Sequence, residues 1–219
     1  MKKLFLTIAF LTSFVSAAYS QSSMGLTLSL AKIDTALSDD IDNNGSVDTT
    51  KDISNDIVFG SIFLERELDN GLTVGLDFIP FEAEFESRST TQVSLKDSST
   101  TTSGTNKGTA DVSKHLTLYV QPTFKELDNG KLFATLGYVR ADVESLVQSV
   151  SSTDKTVEQT LEGFKFGVGM KRDMGANGFF KIELNRTDYD DISATTSNST
   201  KVTADIDTTV LGLSVGKSF

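Results

Sequence analysis

In Leu72-Thr73-Val74-Gly75-Leu76-Asp77-Phe78 every second residue is apolar, and the same beat recurs along the chain. Leu116, Leu118, Val120 and Phe124 alternate with His115, Thr117, Tyr119, Gln121 and Thr123. Phe164, Phe166, Val168 and Met170 oppose Lys165, Gly167 and Gly169. Phe180, Ile182 and Leu184 oppose Lys181, Glu183 and Asn185, and Leu211, Leu213 and Val215 oppose Gly212, Ser214 and Gly216. Successive side chains of a strand point to opposite faces, so a period of two predicts strands with one apolar and one polar face. A helix would repeat at about 3.6 residues, and past the first twenty or so residues that spacing is absent. Less regular segments, Met24 to Ile33, Ile57 to Leu68 and Leu132 to about Val143, bring the expected strands to eight. In Ile57 to Leu68 both faces carry apolar residues, so the pattern leaves its outward side open.

The connections alternate between two kinds. Glu67-Leu68-Asp69-Asn70-Gly71 recurs as Glu126-Leu127-Asp128-Asn129-Gly130, and Asn and Gly suit tight hairpin turns because they tolerate positive φ. Asp173-Met174-Gly175-Ala176-Asn177-Gly178 is a third short link of the same chemistry. Between them lie long segments rich in Ser, Thr, Asp and Asn, at about 34–55, 83–112, 145–159 and 188–205. Glu82 to Leu95 and Val143 to Glu158 keep alternating and β-branched residues, which predicts strands that run on as protruding hairpins.

Met1-Lys2-Lys3, an apolar run from Leu4 to Val15, and the small residues Ser16-Ala17-Ala18-Tyr19-Ser20 follow the order of a secretory signal peptide. We expect residues 1–20 to be removed and 21–219 to form one barrel domain beginning at Gln21. The apolar run is shorter than the roughly 20 residues a spanning helix needs, and no later segment is long and apolar enough either. If the mature chain crosses a membrane it must do so as a closed barrel, since lipid offers backbone groups no partners. Losing Lys2 and Lys3 leaves 18 basic against 30 acidic residues and moves the net charge from −10 to −12. Such a balance excludes nucleic acid as a partner, which needs a basic patch. With no cysteine, disulfides and Cys-based metal or redox sites are excluded as well.

A periplasmic lipocalin-like barrel would show similar alternation with its apolar face inside. Short turns alternating with long polar loops favour the transmembrane form, with the short turns in the periplasm and the long loops outside the cell. The polar faces carry glycines and the mixed charges Asp77, Lys165, Lys181 and Glu183. In a lumen just wide enough for its own side chains these should pack as internal pairs without a channel.

The last nine residues, Leu211-Gly212-Leu213-Ser214-Val215-Gly216-Lys217-Ser218-Phe219, resemble the final strand of bacterial outer-membrane barrels, with a terminal Phe and apolar residues at alternate positions before it. Lys217 departs from that pattern, where an apolar or aromatic residue is usual. With eight strands, the whole mature chain resembles the small-barrel superfamily of the OmpA transmembrane domain and OmpX. The resemblance implies an all-β, antiparallel up-and-down transmembrane barrel in the outer membrane of a Gram-negative-type bacterium. It also implies a setting of outer-membrane lipid and lipopolysaccharide, a monomeric state, and assembly machinery that reads the strand ending in Phe219. A non-enzymatic role in envelope integrity or surface adhesion is expected, with a small pore or a solute-binding periplasmic barrel as the alternative. Pro80 and Pro122 fall within strand patterns, where a missing N–H is costly.

Two motifs could carry chemistry. His115, the only histidine, has Thr117 two residues along, but catalysis would need base, nucleophile and orienting acid together, and we expect a lumen or rim residue. Asp40-Ile41-Asp42-Asn43-Asn44-Gly45-Ser46-Val47-Asp48 resembles the first nine positions of an EF-hand-type calcium loop. Its twelfth position is Lys51 in place of a bidentate Glu, so an acidic turn is expected. We assign no catalytic, cofactor or metal residues.

Overall fold

A computed structural model describes residues 21–40, 44–81, 83–95, 101–149, 152–195 and 201–219, with backbone alone at 39, 83–95, 101–111, 144–149, 152–157, 194–195 and 202. The strands are β1 (Gln21–Asp40), β2 (Thr49–Glu67), β3 (Leu72–Ile79), β4 (Ala83–Leu95), β5 (Thr101–Leu127), β6 (Gly130–Ser149), β7 (Ser152–Gly175), β8 (Gly178–Tyr189), β9 (Ile192–Thr195) and β10 (Lys201–Ser218). β3 and β4 both pair with β5, and β8 and β9 both pair with β10. Each couple is one strand interrupted, at Pro80 and Phe81 in the first case and at Asp190 and Asp191 in the second. Proline fixes φ and cannot donate to the ladder, which accounts for the first break. Pro122 sits where the β5–β6 ladder lapses, between Val120↔Leu136 and Thr123↔Phe133.

The ten segments are therefore eight antiparallel strands, each paired with its neighbours in sequence. β1 also pairs with β10 from Ser23↔Ser218 to Asp40↔Lys201. That seam closes the sheet on itself and leaves no edge strand to be protected. The short links are tight: Gly71 has φ 78°, and Ala176 and Asn177, with φ 49° and 63°, make the turn between Gly175 and Gly178. The long polar segments are largely strand. β1 and β2 pair out to Asp39↔Thr49, and β6 and β7 out to Ser149↔Ser152.

Near the short turns the outer face is apolar. Met24, Leu26, Leu28 and Leu30 of β1 point outward, as do Leu136 of β6, Phe164 and Val168 of β7, and Leu213 and Val215 of β10. Ser23, Ser29, Thr117, Thr135, Lys181 and Ser214 point inward and are buried. The ambiguous β2 is settled: Val58 and Ile62 are exposed at 63% and 40%, whereas Ser61, Phe63 and Glu65 lie at 4% or below.

Farther along the same strands the two faces exchange character. On β1 the outward series passes from Leu30 to Lys32 and Asp34, while the inward series passes from Ser29 to Ala31 and Ile33. On β6 the outward residues turn from Leu136 and Tyr138 to Arg140 and Asp142, and the inward ones from Thr135 to Val139, Ala141 and Val143. On β7 Phe164 gives way outside to Glu162, and Lys165 gives way inside to Leu161. Lys32 lies opposite Asp56 and Thr209, and Thr209 opposite Arg186, so the outward polar residues form a collar across neighbouring strands. A strand that leaves oil for water must carry its apolar residues from outside to inside, and the collar marks where that happens.

Candidate functional site

Below the collar, toward the short turns, the lumen is filled. Lys181 and Glu65 form an ion pair with each side chain only 3% exposed. The Tyr119 hydroxyl donates to the same carboxylate at 2.7 Å. Lys131 reaches Glu67 at 2.7 Å, and Lys171 stands 4.0 Å from it. The ammonium of Lys181 lies 4.2 Å from the centre of the Phe63 ring, and that of Lys171 lies 4.1 Å from the centre of the Phe179 ring. Buried charge persists only when paired and hydrogen-bonded, and ring faces add attraction for the cations.

Four inward aromatic residues have room because the residue opposite each is glycine. The facing pairs are Gly25↔Phe63, Gly75↔Tyr119, Phe133↔Gly169 and Phe179↔Gly216. A Cβ at Gly25, Gly75, Gly169 or Gly216 would come within 2.3 to 2.5 Å of the partner ring. Each ring thus lies over a neighbouring backbone, and together the four rings frame the ion pairs.

The four luminal charges expected from the sequence are not one cluster. Lys181 joins Glu65; Glu183 accepts hydrogen bonds from Thr135 and from Gln121, the latter at 3.4 Å to Oε2. Asp77 accepts from the Ser61 hydroxyl at 2.7 Å, and both Asp77 and Lys165 line the cavity above the plug. Glu65, Glu67, Lys131 and Lys171, which sequence reasoning did not single out, carry most of the packing. For Glu65 and Glu67 the signal was an inward parity shared with Phe63 and Ser61, hidden by the mixed character of the β2 segment; Lys131 shares the parity of Phe133 and Thr135 on β6, and Lys171 that of Lys165 and Gly169 on β7.

Above the plug the expectation of a polar core throughout is corrected. A cavity of about 390 Å³ extends toward the hairpin end, with Ile33, Leu37, Ile57, Val143, Leu161 and Ile206 among its walls. All but Ile57, which stands one residue below Asp56, sit past the collar, where water outside the barrel requires an apolar interior. The cavity floor is polar. His115, Asn185 and Thr187 line it, and the His115 Nε2 lies 3.1 Å from the Tyr189 hydroxyl. His115 Nδ1, Thr117 Oγ1 and Asn185 Oδ1 are buried without a hydrogen-bond partner. Thr117 points inward on the same face as His115, but the imidazole engages Tyr189 instead.

In the Asp40–Asp48 loop, both Asp40 carboxylate oxygens accept backbone amides, from Asn44 at 3.0 Å and from Gly45 at 2.8 Å. Two backbone amides thus close around the Asp40 carboxylate. Asp42 and the signal-like segment 1–20 lie outside the described residues.

A closed eight-stranded barrel with an apolar outer belt, a packed polar lumen inside it and exchanged faces beyond it belongs to the class of outer-membrane barrels. The chain is a member of the outer membrane protein beta-barrel domain family, whose model matches residues 4–219. No curated protein matches it in sequence. Among solved structures it is similar to the outer membrane protease OmpT of Escherichia coli, at 10% identity and TM-score 0.52, over 94% of this chain and 99% of that one. It is also similar to Ail, the attachment invasion locus protein of Yersinia pestis, at 12% identity and TM-score 0.46, over 90% and 99% of the two chains. Neisserial surface protein A gives 11% identity and TM-score 0.43, over 89% and 97%. The likeness to OmpT is one of fold alone. The protein lies in the outer membrane, with its short turns in the periplasm and its long hairpins outside the cell.

Proposed function

We propose that this is a non-enzymatic, non-conducting envelope protein whose working surface is the part of the barrel that stands outside the membrane. The observation that carries this reading is the continuation of the strands past the collar, hydrogen-bonded in register nearly to their tips. A paired strand holds its outward side chains in fixed positions, so the extension offers a stiff, charged surface for adhesion or envelope contacts. Exposed ion pairs such as Arg186 with Asp207, at 2.7 Å, decorate it and add little to stability. The filled lower lumen supports the absence of conduction. His115 supports the absence of catalysis, because its Nε2 meets a tyrosine hydroxyl and its Nδ1 is buried without a hydrogen-bond partner, where a catalytic base would be oriented by an acid. In the same reading the mature chain begins at Gln21, remains monomeric, and is delivered through recognition of β10 and the Phe219 that follows it.

Replacement of residues 84–111 by Asn-Gly tests the proposal, since Ala83 faces Val112 and a two-residue turn can close between them. Cells lacking the protein should become sensitive to detergent or lose surface attachment. The full chain should restore the phenotype and the trimmed barrel should not. Equal rescue by both would place the function in the barrel instead, and steady large single-channel steps from the purified protein would contradict the plug.

A further inference from the structure

The cavity above the plug is unexplained by a surface role, and the inference drawn from it is independent of that role. At about 390 Å³ it falls in the range of small-molecule pockets, roughly 300–1,000 Å³. Its wall and its floor differ in kind. The wall, with Ile33, Leu37, Ile57, Leu161 and Ile206, is aliphatic. At the floor Asn185 is 93% buried, and its Oδ1 has no hydrogen-bond partner; His115 Nδ1 beside the cavity has none either. A buried carbonyl oxygen without a donor loses its hydration and gains nothing in return, and a ligand hydroxyl would relieve it. The charged side chains that reach the cavity, Asp77, Glu183, Lys165 and Lys181, cancel in number. An ionic head would therefore enter without a counter-charge to balance it.

We propose that this cavity binds a single-chain amphiphile with an uncharged, hydrogen-bond-donating head, of the alkanol class. Its head rests at Asn185 and His115, and its tail runs along the aliphatic wall toward the extracellular end. The head group is read by hydrogen bonding and the tail by burial, so a carboxylate of the same length and a bare hydrocarbon both bind less well.

The chain has no tryptophan, which allows a direct test in protein refolded into liposomes. Phe59→Trp places a fluorophore on the cavity wall, and Ile57→Trp, on the same inward face, is a second reporter should the first fail to refold. Leu28→Trp, facing lipid, reports ordinary partitioning into the bilayer. Terminally brominated undecanol should quench the wall reporters saturably, at a concentration about tenfold below that needed at position 28. Brominated undecanoate and bromoundecane should each require about tenfold more than the alcohol. Asn185→Leu should abolish the preference for alcohol over hydrocarbon, a change of about tenfold for one lost hydrogen bond. Quenching of wall and lipid reporters at the same concentration, without saturation, would show that the cavity takes no amphiphile. Undecanoate binding as well as the alcohol, or Asn185→Leu leaving the preference intact, would overturn the assignment of the head group.

Discussion

Burying Glu65 and Lys181 together, at 3% exposure each, takes both charges out of water, and each depends on the other for compensation. Tyr119 supplies one further donor to the carboxylate, and Phe63 offers its ring face to the ammonium. Replacing one partner leaves the other uncompensated, at a loss of about 3–5 kcal/mol, whereas replacing both by apolar residues of similar volume is often close to neutral. Glu65→Gln should therefore lower the free energy of unfolding from liposomes, measured by urea titration, by about that amount. The double variant Glu65→Leu, Lys181→Met should recover most of it. Equal losses in the single and double variants would mean that the pair does not act as a unit.

At the scale of the strand, the inward glycines matter by being small. Gly216 faces Phe179, and a Cβ there would lie 2.4 Å from the ring, whereas at Gly60 the nearest atom is the Thr27 carbonyl oxygen at 3.7 Å. Overpacking of this kind costs roughly 1–3 kcal/mol. Gly216→Ala should destabilise the barrel by about that much in the same urea titration, and Gly60→Ala should change it little; the reverse order would contradict the ring placement.

The strands themselves and their short turns were legible from alternation and from the repeated Asp-Asn-Gly. The facing of β2 was not, because Ile57 and Phe59 point into the upper cavity while Val58 and Ile62 point to the belt. Both faces of that strand are apolar where it passes the collar, so no single parity describes it. The cavity was equally hidden. Ile33, Val143, Leu161 and Ile206 come from four different strands, and each reads locally as a break in the polar inward series. Glu65 could be seen as a charge on β2, but its partner is 116 residues away in sequence.

For the whole molecule, one boundary organises everything described above. Below it the barrel is apolar outside and plugged by ion pairs and rings; above it the barrel is charged outside and apolar within. If the boundary is the membrane surface, the environment of successive outward side chains on β1 must change at one place. Single cysteines at Met24, Leu26, Leu28, Leu30, Lys32, Asp34 and Ala36, each carrying a nitroxide in protein refolded into liposomes, measure that environment by collision with oxygen, which favours lipid, and with a water-soluble nickel complex. The chain has no native cysteine to interfere. Positions 24 to 30 should be more accessible to oxygen, and preference for the nickel complex should set in at 32 and persist through 36. A nickel preference at 24 to 30, or an oxygen preference that continues through 34, would contradict the exchange of faces at the membrane surface.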